Sequence, residues 1–113
     1  MRVLVVEDEM LIALLMEDML DALGHQVVGT AMRLPQALEM AASSDIDLAI
    51  LDVNLDGVKS FPVADTLVER GVPFIFATGY GRPGLEAPYD GQRVIAKPVT
   101  IGALESAINS LAA

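Results

Sequence analysis

Short apolar runs alternate with longer segments of helical periodicity, and this alternation limits the possible folds more than any other feature of the sequence. Parallel strands that are covered by helices on both faces have nearly continuous hydrophobic runs. Five such runs occur, and we predict strands at residues 3–6, 27–31, 48–51, 74–77 and 94–96. The pattern therefore predicts an α/β domain with a mostly parallel sheet.

The segments between these strands place apolar residues three and four positions apart, as on one face of an amphipathic helix. Gly24 and Gly71 follow two of the predicted helices, Pro35 and Pro62 begin two, and Thr100 is the predicted N-cap of the last. Residues 79–92 contain four glycines and two prolines, which predicts a degenerate fourth helix. The side chains predicted to face the sheet are Ile12, Leu15, Met16, Met19, Leu20, Leu23, Ala37, Leu38, Ala41, Val63, Ala64, Leu67, Val68, Leu104, Ala107, Ile108 and Leu111.

Length and composition fit one domain over residues 1–113, and we expect no output domain. A net charge of −9 disfavours contacts with phosphate backbones, so we expect no nucleic-acid partner. The sequence has no cysteine, no signal-peptide pattern and no apolar run of about 18 residues. We therefore expect no membrane insertion and a cytoplasmic location.

Chemically selective side chains follow the predicted strands. Glu7 and Asp8 follow the first strand, Asp52 the third, Thr78 the fourth and Lys97 the fifth. Ligands of open α/β sheets bind at the carboxyl ends of the strands, so these groups should converge. Three converging carboxylates repel one another unless a cation is present, and Mg²⁺ prefers such oxygen ligands.

A carboxylate held in such a site can attack phosphorus and become an aspartyl-phosphate. The transferred phosphoryl group then needs a cation and hydrogen-bond donors around its oxygens, which Lys97 and Thr78 could supply. Each residue alone also has an ordinary explanation as a helix cap, turn former or solvated charge. Their joint occurrence favours the phosphoacceptor interpretation.

At these positions the sequence resembles the receiver domains of two-component response regulators. The matching stretches are VVEDE at residues 5–9, LDVN at 51–54, ATG at 77–79 and AKP at 96–98. The resemblance covers essentially the whole chain. It implies a flavodoxin-like (CheY-like), doubly wound, five-stranded parallel sheet with strand order 2-1-3-4-5.

The resemblance also implies a role for six positions. Glu7 and Asp8 correspond to the acidic pair that holds Mg²⁺, Asp52 to the phosphorylated aspartate, Asn54 to a backbone-carbonyl metal ligand, and Thr78 and Lys97 to the family's hydroxyl and lysine. The same resemblance implies a cis peptide bond between Lys97 and Pro98. A receiver is a phosphoacceptor that takes part in its own phosphorylation and dephosphorylation, rather than a conventional enzyme.

The segment PFIFATGY at residues 73–80 resembles the PFxFATGY signature of single-domain receivers associated with HWE-type and related histidine kinases. This implies a sensor histidine kinase and a downstream protein as partners, in a bacterial cytoplasm. Val94 departs from the family, since most receivers have a switching Tyr or Phe there. We therefore predict that switching depends on ordering of residues 79–92 and not on rotation of an aromatic ring.

Two other classes of function remain as alternatives. Asp52-Val53-Asn54 weakly resembles the nucleophile motif of haloacid-dehalogenase-like phosphatases, although Asn54 stands where those enzymes have a second acid. A degenerate receiver that acts only as a binding module is the other alternative. Within the receiver interpretation, a phosphate sink, a relay intermediate and a signalling output are all compatible with the sequence.

Overall fold

The computed structural model describes residues 1–43, 45–79 and 93–112. Strands and helices alternate along the chain, and a short hairpin follows the third strand. The elements are β1 (Arg2–Val6), α1 (Met10–Ala22), β2 (Gln26–Ala31), α2 (Leu34–Ser43), β3 (Leu48–Asp52), β4 (Asn54–Leu55), β5 (Val58–Lys59), α3 (Phe61–Arg70), β6 (Phe74–Thr78), β7 (Val94–Ala96) and α4 (Ile101–Ala112).

The main sheet has five strands in the order β2-β1-β3-β6-β7, and all neighbouring strands are parallel. When only these five strands are numbered, the order is 2-1-3-4-5, so the predicted doubly wound topology is confirmed. Each predicted strand agrees with the structure to within one residue at either end. The continuous apolar runs were informative because this sheet is covered on both faces.

Alternate residues of each strand face opposite halves of the core. Leu4 and Val6 of β1 pack with the buried side chains of α2 and α3, whereas Val3 and Val5 pack with those of α1 and α4. This division follows from the two-residue period of a β-strand. The sheet therefore has two helices on each face in the described part of the chain.

The helix ends agree with the predicted caps. Gly24 and Gly71 have φ angles of 86° and 70°, which suit glycine at the end of a helix. The N–H of Ala103 donates to the hydroxyl oxygen of Thr100 over 3.2 Å, which confirms the predicted N-cap.

The inward-facing prediction is wrong for two helical side chains. Leu15 is 53% exposed and Val68 is 58% exposed, because the apolar stripe of each helix is wider than the surface that the sheet covers. Ala13, which was not predicted, is buried instead. Apolar periodicity thus gave the correct helices but overestimated how much of each was buried.

The hairpin of β4 and β5 was not predicted. Its strands pair antiparallel, with Asn54 opposite Lys59 and Leu55 opposite Val58. The degenerate helix and the switching segment predicted within residues 79–92 fall almost wholly outside the described residues. Among the helices of the described ranges, none is long and apolar enough to cross a membrane.

Candidate functional site

Three carboxylates meet at the carboxyl ends of β1 and β3. Glu7 and Asp8 directly follow β1, and Asp52 is the last residue of β3. One oxygen from each carboxylate lies within 4.8 Å of the others. Glu7 is fully buried, Asp52 is 8% exposed and Asp8 is partly exposed. The predicted convergence of the three acids is therefore present in the structure.

Lys97 supplies the cation of the site. Its Nζ lies 2.7 Å from Oε2 of Glu7 and 3.2 Å from Oδ2 of Asp52, and its side chain is 15% exposed. The peptide bond from Lys97 to Pro98 is cis, as predicted. The closer contact with Glu7 was not predicted, because the order of strands and acids does not determine which carboxylate lies nearest to Lys97.

The protonation of Asp52 is strongly perturbed in this arrangement. Burial, followed by the negative charge of Glu7, raises the pKa of Asp52 from 3.8 to about 7, although Lys97 acts in the opposite direction. Hydrogen bonding with Asp8 contributes in the same direction as burial. At neutral pH, and without a further cation, Asp52 therefore holds a proton for a large part of the time.

Asp8 and Lys97, by contrast, are both stabilised in their ionised forms. Burial alone would raise the pKa of Asp8, but hydrogen bonds from Asp52 and from the backbone of Asp56 outweigh it, and the pKa is lowered. Burial would lower the pKa of Lys97, but its hydrogen bond with Glu7 and the charges of both acids raise it instead. The clustering of three acids thus disfavours mainly the ionised form of Asp52.

Backbone N–H groups of the hairpin donate to the acids. The N–H of Asn54 donates to Oδ1 of Asp52 over 3.3 Å, and the N–H of Asp56 donates to Oδ2 of Asp8 over 2.9 Å. Sequence reasoning missed Asp56 as a member of the site. The Asp56-Gly57 dipeptide between Leu55 and Val58 was the available signal, since Asp-Gly favours a tight hairpin turn.

Thr78 lies at the same edge of the sheet. It ends β6, is buried, and its carbonyl oxygen accepts a hydrogen bond of 3.1 Å from the N–H of Lys97. An open hollow of about 220 Å³ lies over the strand ends. Its lining comprises Asp8, Glu9, Asp52, Asn54, Gly79 and Lys97.

The three clustered acids suit a hard divalent cation. Glu7, Asp8 and Asp52 offer carboxylate oxygens, which are the ligands that Mg²⁺ prefers. Glu7 already uses one oxygen for Lys97 and accepts the N–H of Glu9 at the other over 3.2 Å. Each carboxylate oxygen has a second lone pair, so these contacts leave acceptor capacity for a cation.

Comparison with protein families agrees with this geometry. Residues 3–109 match the family model described as the response regulator receiver domain. The chain belongs to this family. Its members are signalling modules of two-component systems, so the resemblance stated from the sequence is confirmed.

Two relatives, one of them in two structures, illustrate the similarity. The phyllosphere-induced regulator PhyR of Methylorubrum extorquens is 37% identical over 87 residues, which are 70% of this chain and 31% of that protein. The chain thus spans about a third of this curated relative's length. The solution structure of SdrG from Sphingomonas melonis Fr1 is 41% identical, covers 99% of this chain and 96% of its own, and superposes with a TM-score of 0.88. The BeF3-activated conformation of SdrG, from Pseudomonas melonis Fr1, has the same identity and coverage and a TM-score of 0.85.

Proposed function

We propose that Asp52 accepts a phosphoryl group from a sensor histidine kinase in a Mg²⁺-dependent reaction, and that phosphorylation switches the binding of a downstream protein. The observation that carries this proposal is the cluster of Glu7, Asp8 and Asp52 oxygens within 4.8 Å, beside the ammonium of Lys97. The resemblance to SdrG, for which a BeF3-activated conformation is described, supports it.

Glu7, Asp8, Asp52 and the backbone carbonyl of Asn54 would hold the metal ion. When bound, Mg²⁺ supplies positive charge that offsets the charge on the phosphoryl oxygens. An ionised oxygen of Asp52 attacks phosphorus and forms a new P–O bond, while the P–N bond of the donor phosphohistidine breaks. The electron pair of that bond stays on the imidazole, which then takes up a proton.

Lys97 is suited to contact the negative charge of the phosphoryl group once that group is on Asp52. Its Nζ can contact a phosphoryl oxygen on Asp52 while it keeps Glu7, its closer partner at 2.7 Å. The hydroxyl of Thr78 would donate to another phosphoryl oxygen from the end of β6. Through these two contacts, phosphorylation of Asp52 would affect the neighbouring strands.

An exposed apolar surface on α1 supports a protein as the phosphodonor. Met10, Leu11, Leu14 and Leu15 are 63%, 71%, 50% and 53% exposed, and the helix begins one residue after Glu9 at the rim of the hollow. Contiguous exposed apolar side chains commonly mark protein interaction sites. We infer that a histidine kinase of the HWE type docks here, because its phosphohistidine must reach Asp52.

The decisive experiment is phosphorylation by acetyl phosphate, followed by intact-mass measurement with and without Mg²⁺. We expect the parent chain to gain one phosphoryl group only with the metal, and Asp52→Asn to gain none. Asp65→Asn, which removes an exposed carboxylate from α3, is the matched control and should be labelled like the parent.

The two alternative functions give different results in the same assay. Repeated hydrolysis of a small phosphoester by the parent chain would favour a haloacid-dehalogenase-like phosphatase. No labelling under any condition would favour a receiver that acts only as a binding module. Equal labelling of Asp52→Asn and the parent would refute Asp52 as the acceptor.

A further inference from the structure

The hairpin of β4 and β5 has a turn that forces two consecutive residues into a left-handed backbone conformation. Asp56 and Gly57 have φ angles of 53° and 86°. Positive φ at both central residues is the requirement of the tight turn that joins two-residue hairpins. The side-chain oxygen of Asn54 accepts the N–H of Gly57 over 3.0 Å, which closes the turn from within.

Burial of its outer strand does not explain this hairpin. Val58 and Lys59 of β5 are both exposed, and of the four paired residues only Leu55 is buried. A two-stranded hairpin is marginally stable by itself in water. The N–H of Ser60 donates to the carbonyl of Val53 over 2.9 Å and ties the hairpin to the end of β3.

The hairpin also spans the acidic site. The N–H of Asp56 reaches Asp8, 48 residues earlier in the chain, and the N–H of Asn54 reaches Asp52. Each of these two carboxylates therefore has one oxygen held by a backbone donor of the hairpin. Outer-shell hydrogen bonds of this kind orient metal-ligating carboxylates and raise metal affinity.

We propose that the hairpin is a positioning element for Asp8, and that its Asp56-Gly57 turn sets the affinity of the site for Mg²⁺. This inference rests on the proposed function. With the Asp56 N–H bonded to one oxygen, the Asp8 carboxylate has one orientation before the metal arrives, so less side-chain freedom is lost on binding. Disruption of the turn releases Asp8 without removing any ligand.

The chain provides a matched pair of glycines to test this. Gly57 and Gly24 both have a φ of 86°, and a Cβ added at either would meet no atom within 4 Å. Alanine therefore imposes a similar backbone penalty at both positions. Gly24 lies between α1 and β2, at the opposite end of the sheet from the acids.

The measurement is titration of the full chain with Mg²⁺ alone, by calorimetry and amide NMR, together with urea melts without metal. We expect Gly57→Ala to weaken Mg²⁺ binding by about tenfold, and Gly24→Ala by less than about twofold. Both should lower metal-free stability. Gly57→Asn should recover much of the affinity, because asparagine tolerates positive φ better than alanine.

Two further variants separate the backbone donor from side-chain effects. Asn54→Ala keeps the backbone carbonyl but removes the acceptor for Gly57, so it should also weaken Mg²⁺ binding. Asp56→Asn keeps the N–H and removes an exposed carboxylate, so it should weaken Mg²⁺ binding less than Gly57→Ala does if the N–H is what matters.

The inference is overturned if Gly57→Ala binds Mg²⁺ like the parent, or if both glycine variants weaken binding equally. Failure of the proposed function would look different. In that case the parent itself would show no Mg²⁺ binding, or would show binding that Asp8→Ala leaves unchanged.

Discussion

Replacement of Asp52 by Asn should stabilise the metal-free protein at neutral and alkaline pH and leave its stability almost unchanged near pH 4. The folded protein raises the pKa of Asp52 from 3.8 to about 7 through burial and the charge of Glu7. A raised pKa means that the folded state resists ionisation of this carboxyl. Asparagine has a similar shape and never ionises.

The direction and magnitude of this change in stability follow from proton linkage. Below about pH 4 the carboxyl is protonated in both the folded and unfolded chains, so it does not change stability with pH. Between about pH 4 and pH 7 the unfolded chain releases the proton and the folded chain keeps it, so stability falls as pH rises. Above that pH range the loss of folding stability is complete. It is at most about 4 kcal/mol for a pKa raised from 3.8 to about 7.

Lys97 keeps an ion-pair partner after this substitution, because Glu7 remains 2.7 Å from its ammonium. The expected difference between Asp52→Asn and the parent is therefore near zero at pH 4 and between about 1 and about 4 kcal/mol at pH 8. Urea melts of both proteins across this pH range, without metal, would measure it. Added Mg²⁺ should narrow the difference at pH 8 because it binds the folded parent.

A stability difference that is constant with pH, or an Asp52→Asn variant less stable than the parent at pH 8, would refute the reasoning. The second result would mean that the ionised carboxylate is a net stabilising partner of Lys97. Thr66→Ser, a mild change on α3, is a suitable control and should give a pH profile parallel to that of the parent.

Three other outcomes are expected. Ser60→Ala should leave thermal stability equal or slightly higher, because the Ser60 hydroxyl is buried without a hydrogen-bond partner among the described residues, whereas a capping hydroxyl would make the change destabilising by about 1 kcal/mol. Lys97→Ala should raise the pKa of Asp52 above about 7, measured by ¹³C NMR of its carboxyl, and should abolish the spectral response to phosphorylation even if slow labelling persists. Leu11→Ser should slow transfer from a phosphorylated histidine kinase but not from acetyl phosphate. Val68→Ser, at another exposed apolar position on α3, should affect neither, and slowing by both variants would refute a specific α1 surface.

The sheet and the acidic cluster were predictable because both depend on the same simple pattern. An apolar run that ends in a polar residue locates a strand and its carboxyl end together, so Glu7, Asp52 and Lys97 could be assigned to one edge of the sheet from the sequence alone. The predicted strand order came from the family resemblance, since periodicity does not specify which strands are neighbours.

The hairpin was not predictable from periodicity because each of its strands has only two residues. Its clearest signal was the Asp56-Gly57 dipeptide, and a dipeptide does not reveal that an N–H will reach an acid 48 residues away. The exposure of Leu15 and Val68 was missed for another reason. Hydrophobic periodicity records which helix positions are apolar, and a surface for a partner has the same periodicity as a surface for the core.

The distribution of contacts around Asp52 is consistent with the proposal that one site serves both a resting and a phosphorylated state. Oδ1 of Asp52 accepts the N–H of Asn54 over 3.3 Å, and Oδ2 faces Lys97 over 3.2 Å. Both contacts are longer than the 2.7 Å between Lys97 and Glu7. Because Glu7 is fully buried and holds the ammonium more closely, Lys97 can leave Asp52 for a phosphoryl oxygen without losing its main partner. In the proposed reaction Glu7 would therefore have a second role beside metal binding, since it would keep Lys97 at the site while the charge on Asp52 changes.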